Sequence, residues 1–486
     1  MRLPRWPVSA LLGLSLIVFP LVGCNGDGGG EGEGEGSEGE GEGGGGDGGV
    51  DGGEPDLGNP EVFPEDELTV VFVGEQREAN GEGIYEADLF AVEKLDGLRL
   101  AQLKADTDAL ERPVTLESSE IVNLTEGAVS CTNCRLSPDH AWIGWTEPDP
   151  AEPQRGVILF AAPMDAGWVV NQARKVDVRR FRGSETLDDF VFAGDRIVYG
   201  KVTADGTEVL SRDLAGDEEH SLTVMADGGS LRAAPDGVTI LLQEKVGLAS
   251  LRLRRVAAVG EPAPELIHTF QVQGTTTGSD YSGNERSAIS PDGKLFALLT
   301  EARPAVQQPE EFRLSIVSLD PANPGLVEYL ELGPAGPTRC QSMRGPNEYN
   351  YSFQDPLWAP DGRTLYVLGM SPPSCGTPVI QTQNETDVLR IEVHADGTLG
   401  ELVNLTDNPD KDFPEHLPME QLALSPSGKY LIASAPYANR AQDLELYIFS
   451  TALPELRRAY PGQTFKGLRL QLTNDATRTI TALWIF

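Results

Sequence analysis

The sequence predicts an all-β fold of many short strands, and three observations carry that prediction. A turn phrase recurs five times, as Leu136-Ser137-Pro138-Asp139, Ala234-Pro235-Asp236-Gly237, Ser290-Pro291-Asp292-Gly293, Ala359-Pro360-Asp361-Gly362 and Ser425-Pro426-Ser427-Gly428. A strand-like run follows each: Ala141–Trp145, Val238–Leu242, Lys294–Leu299, Thr364–Leu368 and Tyr430–Ala433. A second phrase, Val122-Asn123-Leu124-Thr125, returns as Val403-Asn404-Leu405-Thr406, and more loosely as Ser221-Leu222-Thr223 and Gln471-Leu472-Thr473. Proline presets φ at the first turn position, and Asp and Gly suit the remainder of a tight turn. Each proline phrase therefore reads as a hairpin joining two strands.

Taken from the N-terminus, residues 1–23 form a targeting signal. Arg2 and Arg5 precede an apolar run, Ala10 to Val22, that is too short and wrongly flanked for a comfortable membrane span. The run ends in Leu21-Val22-Gly23-Cys24, which resembles a bacterial lipobox. That resemblance implies cleavage before Cys24 and lipidation of its thiol. Several buried acyl chains, at roughly 0.8 kcal/mol per CH₂, give stable anchoring. Asn25 stands where an Asp favours inner-membrane retention in enterobacterial lipoproteins, so the outer membrane is the expected address, on its periplasmic or its surface face.

Between the signal and the repeats, residues 25–59 hold 18 Gly and 11 Asp or Glu, and no Lys or Arg. Such a stretch buries too little apolar surface to offset chain entropy and is expected to be a disordered tether, running 24–59 with its lipidated cysteine. A neutral Gly/Ser coil of that length spans roughly 30–35 Å, and charge repulsion extends it further. The whole chain has 486 residues, is 40% hydrophobic and carries a formal charge of −37. The first two values support a substantial core. The third argues against nucleic acid as a partner, because phosphates require Lys and Arg.

The region 60–486 carries the repeats. In order, a unit reads Leu-Thr, loop, strand, Ser-Pro-Asp-Gly, strand, loop, strand ending in a turn, then Leu-Thr again, or about four strands. The third-strand runs are Glu311–Asp320, Asp387–Gly397 and Leu444–Ser450. Spacings of about 40–70 residues suggest insertions of unequal length. Four-stranded units arranged radially manage their edges by packing sheet on sheet around a channel, which is a β-propeller. Leu68–Val73 and Asp88–Val92 read as the second and third strands of a blade that lacks its first, and Thr479–Phe486 is a strand without a successor. The ring is therefore expected to close by pairing the N- and C-terminal strands. Adding the turns near 138, 194 (a degenerate Ala193-Gly194-Asp195), 235, 291, 360 and 426 gives seven blades. Six or eight stay open, because the unit at 181–230 is poorly formed.

These phrases resemble the PD40 (WD40-like) repeats of TolB-type propellers, over about 85% of the chain. The resemblance implies the propeller fold and four-stranded blades. TolB itself has an additional N-terminal α/β domain. Here only about eight residues separate the tether from the first strand, so fold transfers and role does not.

Candidate sites are few. Cys131-Thr132-Asn133-Cys134 is a CxxC without the helix that thioredoxin chemistry needs, without the His of a haem attachment, and without a second CxxC for zinc. A local Cys131–Cys134 disulfide is expected, and Cys340 and Cys375 are candidates for a second. The run 407–415 is acidic enough to suggest Ca²⁺ through Asp407, Asp410 and Asp412, but it lacks the EF-hand order. The repeat resemblance instead implies that Asp412 hydrogen-bonds backbone at a blade junction. Asp188-Asp189 reads as an ordinary solvated loop, and His140, His220, His268, His394 and His416 as scattered loop residues. Tyr281, Tyr349, Tyr351 and Phe353 lie just before two turn phrases, where loops approach the channel mouth, and are weak candidates for binding a peptide or sugar. No GxSxG elbow, phosphate-binding GxxxxGK[ST] or dinucleotide fingerprint is present.

The expectation is a lipid-anchored envelope protein whose propeller binds a protein, peptide or glycan, without catalysis and without a cofactor. A channel hydrolase or lyase using loop carboxylates, and a purely structural envelope component, are the alternatives.

Overall fold

In the computed structural model, the described residues run from Glu67 to Ile485, apart from 78–83, 111–113, 126–130, 132, 166–167, 217, 247–249, 261–262, 272–285, 303–310, 332–355, 371–385, 406–420, 438–439, 452–468 and 474–477. The chain divides into two units, Met1–Glu54 and Pro55–Phe486, and the described residues all lie in the second.

Twenty-eight strands form seven antiparallel sheets among the described residues. Blade I holds β1 (Leu68–Arg77), β2 (Ile84–Leu95) and β3 (Ile121–Asn123). Blade II holds β4 (Arg135–Leu136), β5 (Trp142–Pro148), β6 (Val157–Pro163) and β7 (Val176–Phe181). Blade III holds β8 (Thr186–Ala193), β9 (Arg196–Thr203), β10 (Gly206–Asp213) and β11 (Glu219–Met225). Blade IV holds β12 (Gly229–Ala233), β13 (Thr239–Val246), β14 (Ser250–Ala257) and β15 (Glu265–Gln271). Blade V holds β16 (Arg286–Ile289), β17 (Leu295–Ala302), β18 (Glu311–Ser318) and β19 (Gly325–Glu331). Blade VI holds β20 (Leu357–Trp358), β21 (Thr364–Met370), β22 (Thr386–Val393) and β23 (Leu399–Asn404). Blade VII holds β24 (Gln421–Leu424), β25 (Tyr430–Tyr437), β26 (Arg440–Ser450) and β27 (Arg469–Gln471). The last strand, β28 (Arg478–Ile485), joins blade I, whose order is β28-β1-β2-β3.

The ring therefore closes as the sequence predicts. Val70 pairs with Ile485 and Val73 with Ala482, across the whole length of the chain. Seven apolar clusters account for the stacking, one at each junction between neighbouring blades. That at blades VII and I combines Phe72, Phe90 and Val92 with Ile432, Leu446 and Ile448. That at blades II and III combines Leu159 and Phe181 with Phe192 and Tyr199. Among the described residues, apolar packing thus bridges every one of the seven junctions. At roughly 25 cal/mol per Å² of apolar area buried, these junctions are the main favourable contribution to stability.

Within a sheet the strands alternate in direction, so the connections divide between two faces. First-to-second and third-to-fourth connections leave at one face, called here the turn face because it carries the Ser-Pro-Asp-Gly phrases. Second-to-third and blade-to-blade connections leave at the other, the loop face. The strand ends that flank 272–285, 332–355, 371–385 and 406–420 in sequence lie at the loop face.

The turn phrases share one hydrogen-bonding device. In Ser137 and Ser290 the hydroxyl donates to the Asp two residues on (2.6 and 2.7 Å) and accepts the backbone N–H five residues on (2.9 Å in each). Where Ala replaces that Ser, at Ala234 and Ala359, a Thr five residues on supplies the hydroxyl, and Thr239 and Thr364 donate to Asp236 and Asp361 at 2.6 and 3.0 Å. The Leu-Thr phrase is a clasp. Leu124 N–H bonds Leu89 C=O, Thr125 accepts from Leu89 N–H and donates to Asp88, and Leu472-Thr473 repeats the pattern on Leu446 and Glu445. The looser echo differs. Leu222-Thr223 lies inside β11, and Met225 takes the buried position at the strand end.

One element was not anticipated. α1 (Gly97–Leu110) fills the connection between β2 and β3 and buries Leu100 and Leu103 against the blade VII–I junction. A bidentate Arg99–Glu120 pair (2.6 and 2.7 Å) ties its start to the end of that connection. Among the described residues no helix is long and apolar enough to cross a membrane.

Candidate functional site on the channel wall

The first strands of the blades surround the axis, and three consecutive ones carry a charged cluster. Its centre is the Asp188-Asp189 pair of β8. The solvated loop expected for this pair is not what the structure shows: both residues sit in the innermost strand, and Asp189 is only 9% exposed. The reason is a β-bulge. Leu187 pairs with Lys201 and Phe190 with Tyr199, so two residues oppose Gly200 alone. A Cβ at position 200 would come within 3.2 Å of the Asp188 Cβ and 2.9 Å of Thr207. Glycine there makes room for the bulge.

Asp189 is held from both sides. Arg135 of β4 pairs with it at 2.6 Å, Arg232 of β12 approaches to 4.0 Å, and Leu231 N–H donates to it at 2.8 Å. Arg135 also donates to Phe190 C=O, and its guanidinium lies 5.1 Å from the Phe190 ring centroid. Arg232 repeats the gesture one blade removed, donating to Ser287 C=O at 3.2 Å. Both arginines stand three residues before the proline of a turn phrase. Gln243 completes the row with a 2.7 Å bond to the Ser287 hydroxyl. Blades II to V are thus stitched side chain to backbone.

Asp188 is held differently. Gly229 N–H and the Thr207 hydroxyl donate to it at 3.1 and 3.3 Å. Burial, helped by the neighbouring Asp189 charge, raises its carboxyl above the ordinary value despite these bonds. Gly229 has φ +157°, and a Cβ there would fall 2.0 Å from Gln243 C=O, so β12 can approach β13 this closely only without a side chain. The arrangement gives a fixed carboxylate pair with unlike environments, beside an Arg135 side chain that remains 42% exposed. It can present a guanidinium to an acceptor group on a ligand.

The other residues singled out in the sequence fare as follows. The Cys131 and Cys134 sulfurs lie 2.09 Å apart, in a buried position beside Trp145 and immediately before Arg135. Cys24, Cys340, Cys375, Tyr281, Tyr349, Tyr351, Phe353, Asp407, Asp410, Asp412 and His416 lie outside the described residues. His140 and His394 lie in turns of blades II and VI, whereas His220 and His268 lie within strands β11 and β15 and not in the loops expected for them. Among the described residues no three His, Cys, Asp or Glu side chains form a metal-sized group. Sequence reasoning missed Arg135 and Arg232. Their signal was present, as an arginine at the same offset before two turn phrases.

No family model matches the chain, and no curated protein matches it. Solved structures do resemble it in fold. A protein of Bacteroides fragilis assigned as a 6-phosphogluconolactonase is 14% identical over 87% of this chain and 98% of its own, with a TM-score of 0.46. TolB of Acinetobacter baumannii is 13% identical over 86% of this chain and 82% of its own, with a TM-score of 0.36. Prolyl oligopeptidase B of Galerina marginata is 10% identical over 80% of this chain and 50% of its own, with a TM-score of 0.44.

Proposed function

We propose that the protein is a lipid-anchored component of the bacterial cell envelope whose PD40-type propeller binds a protein, peptide or glycan without transforming it. The address rests on the Leu21-Val22-Gly23-Cys24 phrase and the acidic tether after it. The domain plan is a signal at 1–23, a lipidated tether at 24–59 and the propeller from 60. A Cys131–Cys134 disulfide, and a second one between Cys340 and Cys375, fit an oxidising compartment. The formal charge of −37 keeps nucleic acid out of consideration as a partner.

The observation that carries the binding reading is how the channel-wall carboxylates are used. Asp189 holds Arg135 and the Leu231 N–H, and Asp188 holds Gly229 and Thr207. These groups fix neighbouring strands relative to one another, while Arg135 keeps part of its side chain exposed for recognition. The test is crosslinking in intact cells with a photoreactive residue in place of the exposed Asn133, read by mass spectrometry. A single reproducible envelope partner, lost when Cys24→Ala removes the anchor, is the expected result. Labelling that matches a control with the probe on the outer strand β23 contradicts it.

One observation favours a hydrolase or lyase instead. Burial raises the Asp188 carboxyl above its ordinary value, whereas Asp189 sits against the Arg135 guanidinium at 2.6 Å, and unlike surroundings of this kind are how an acid and a base are separated within one pair. Turnover of any substrate that Asp188→Asn abolishes, with binding retained, would support that reading.

A further inference from the structure

Where a turn phrase ends in glycine, it closes on the turn of the preceding blade, with one exception. A Cβ at Gly237 would lie 3.6 Å from Gly194 of blade III, one at Gly362 would lie 4.0 Å from Pro291 of blade V, and one at Gly428 would lie 3.1 Å from Pro360 of blade VI. At Gly293 of blade V the same atom would meet nothing within 4 Å, so this turn stands clear of the blade IV turn. Between the two lies a cleft of about 390 Å³. Its floor is apolar, made by the buried Leu241 and Leu319. Pro235 and Pro291 line its walls, and the exposed Asp236 and Asp292 stand at its rim.

The charges around the cleft point to its occupant. Arg255 of β14 also lines it, but its guanidinium donates to Leu319 C=O at 2.9 Å across the junction, and Glu265 of β15 answers its charge at 2.6 Å. Lys294 stands 3.5 Å from Asp292 and is 73% exposed, and an exposed pair of this kind is weak enough for another cation to displace. Asp236 takes its bonds from the Thr239 hydroxyl and the Val238 and Thr239 N–H groups, and among the described residues no lysine or arginine pairs with it. Burial acts to raise both rim carboxyls, but hydroxyl and backbone donors outweigh it, so both are anions at neutral pH. Asp320, next to Leu319 in the β18–β19 turn, adds a carboxylate on the same face. An apolar slot ending at carboxylates matches an aliphatic stem that carries a cation, as in a lysine or arginine side chain. A formal charge of −37 draws cationic partners and repels acidic ones.

We propose that the cleft between the turns of blades IV and V is a docking site for one lysine or arginine side chain of a partner peptide or protein. It rests on the binding reading above and uses none of the residues of the channel-wall cluster. The mature full-length chain, made soluble by Cys24→Ala, would be titrated by ligand-detected NMR with the peptide Gly-Gly-Lys-Gly-Gly and its arginine and norleucine counterparts, at about 150 mM salt to screen long-range attraction. The lysine or the arginine peptide should bind. The norleucine peptide keeps the stem without the charge and should bind about tenfold or more weakly. Asp236→Asn combined with Asp292→Asn should weaken the cationic peptide by a similar factor. Asp361→Asn combined with Asp396→Asn removes the same charge from the turns of blade VI and should leave binding unchanged. No binding of either cationic peptide, equal binding of the norleucine peptide, or equal losses in the two double variants would each overturn the proposal. The norleucine comparison uses the parent chain, so it decides even where a variant unfolds. Crosslinking from Asn133 is read separately. A partner found there with no peptide bound here overturns the cleft alone, and a peptide bound here with no partner found there overturns the envelope reading alone.

Discussion

At the scale of single residues, Asp189 ties three consecutive blades together. It is almost fully buried; Arg135 and the Leu231 N–H reach it within hydrogen-bond distance from two neighbouring strands, and the Arg232 charge stands 4.0 Å away. Asp189→Ala leaves Leu231 N–H and part of Arg135 without an acceptor. The expected loss is about 2–3 kcal/mol in a urea unfolding series, less than a fully buried pair would give because Arg135 reaches solvent. The carboxyls also set the acid response. In Asp139, Asp236 and Asp292 burial acts to raise the carboxyl, but hydroxyl and backbone donors outweigh it and hold each below the ordinary value. Their contribution is present above the ordinary carboxylate pKa of about 4 and is lost as pH falls through the folded values. Asp188 runs the other way. Its stabilisation is fully present below the ordinary value and is lost as pH rises through its raised one. The stability gained by Asp188→Asn relative to the parent should therefore be larger at pH 7 than at pH 4, measured by urea midpoints. Neither aspartate was legible as a wall residue in sequence. Two adjacent charges beside an apolar run look like a loop end, and only the bulge opposite Gly200 gives both of them partners inside a strand.

At the scale of elements, the turn phrases were legible because their chemistry is local. Proline, aspartate and glycine each answer a backbone need within four residues. The exchange of hydroxyl between the first and sixth positions was on the page too, as Ser with Leu295 or Tyr430 and Ala with Thr239 or Thr364. Its meaning required the bond partners. It makes a clean expectation: Thr239→Val should cost about 1 kcal/mol in chemical denaturation, and adding Ala234→Ser should restore most of it by rebuilding the other version of the turn. The glycine closing such a turn has a second duty between blades. A Cβ on Gly428, at φ +72°, would meet Pro360 of the preceding turn at 3.1 Å. By contrast α1 left little trace in the sequence. It buries only Leu100 and Leu103, leaves Leu98 and Leu110 exposed, and has no acidic residue in its first turn and no basic one in its last. Its place is set by tertiary packing on the blade VII–I junction, which no local pattern announces.

At the scale of the molecule, the count of units favoured seven blades and left six or eight open at the poorly formed unit 181–230. The closure was readable by counting strands, because a blade missing its first strand and a strand lacking a successor have one economical solution. The charged wall was not, since it assembles from residues of three blades that lie about 50 residues apart in sequence. Closure by the final strand is the claim on which the channel wall depends, as it completes the ring of blades. Native-state amide hydrogen exchange on the full chain tests it most directly. Amides of Arg478–Ile485 that face β1 should be protected to the same extent as those of β1 and β2, and deleting 478–486 should strip protection from blade I first. Exchange of 478–485 at the rate of an unstructured peptide, with β1 still protected, would contradict a ring sealed by its two ends.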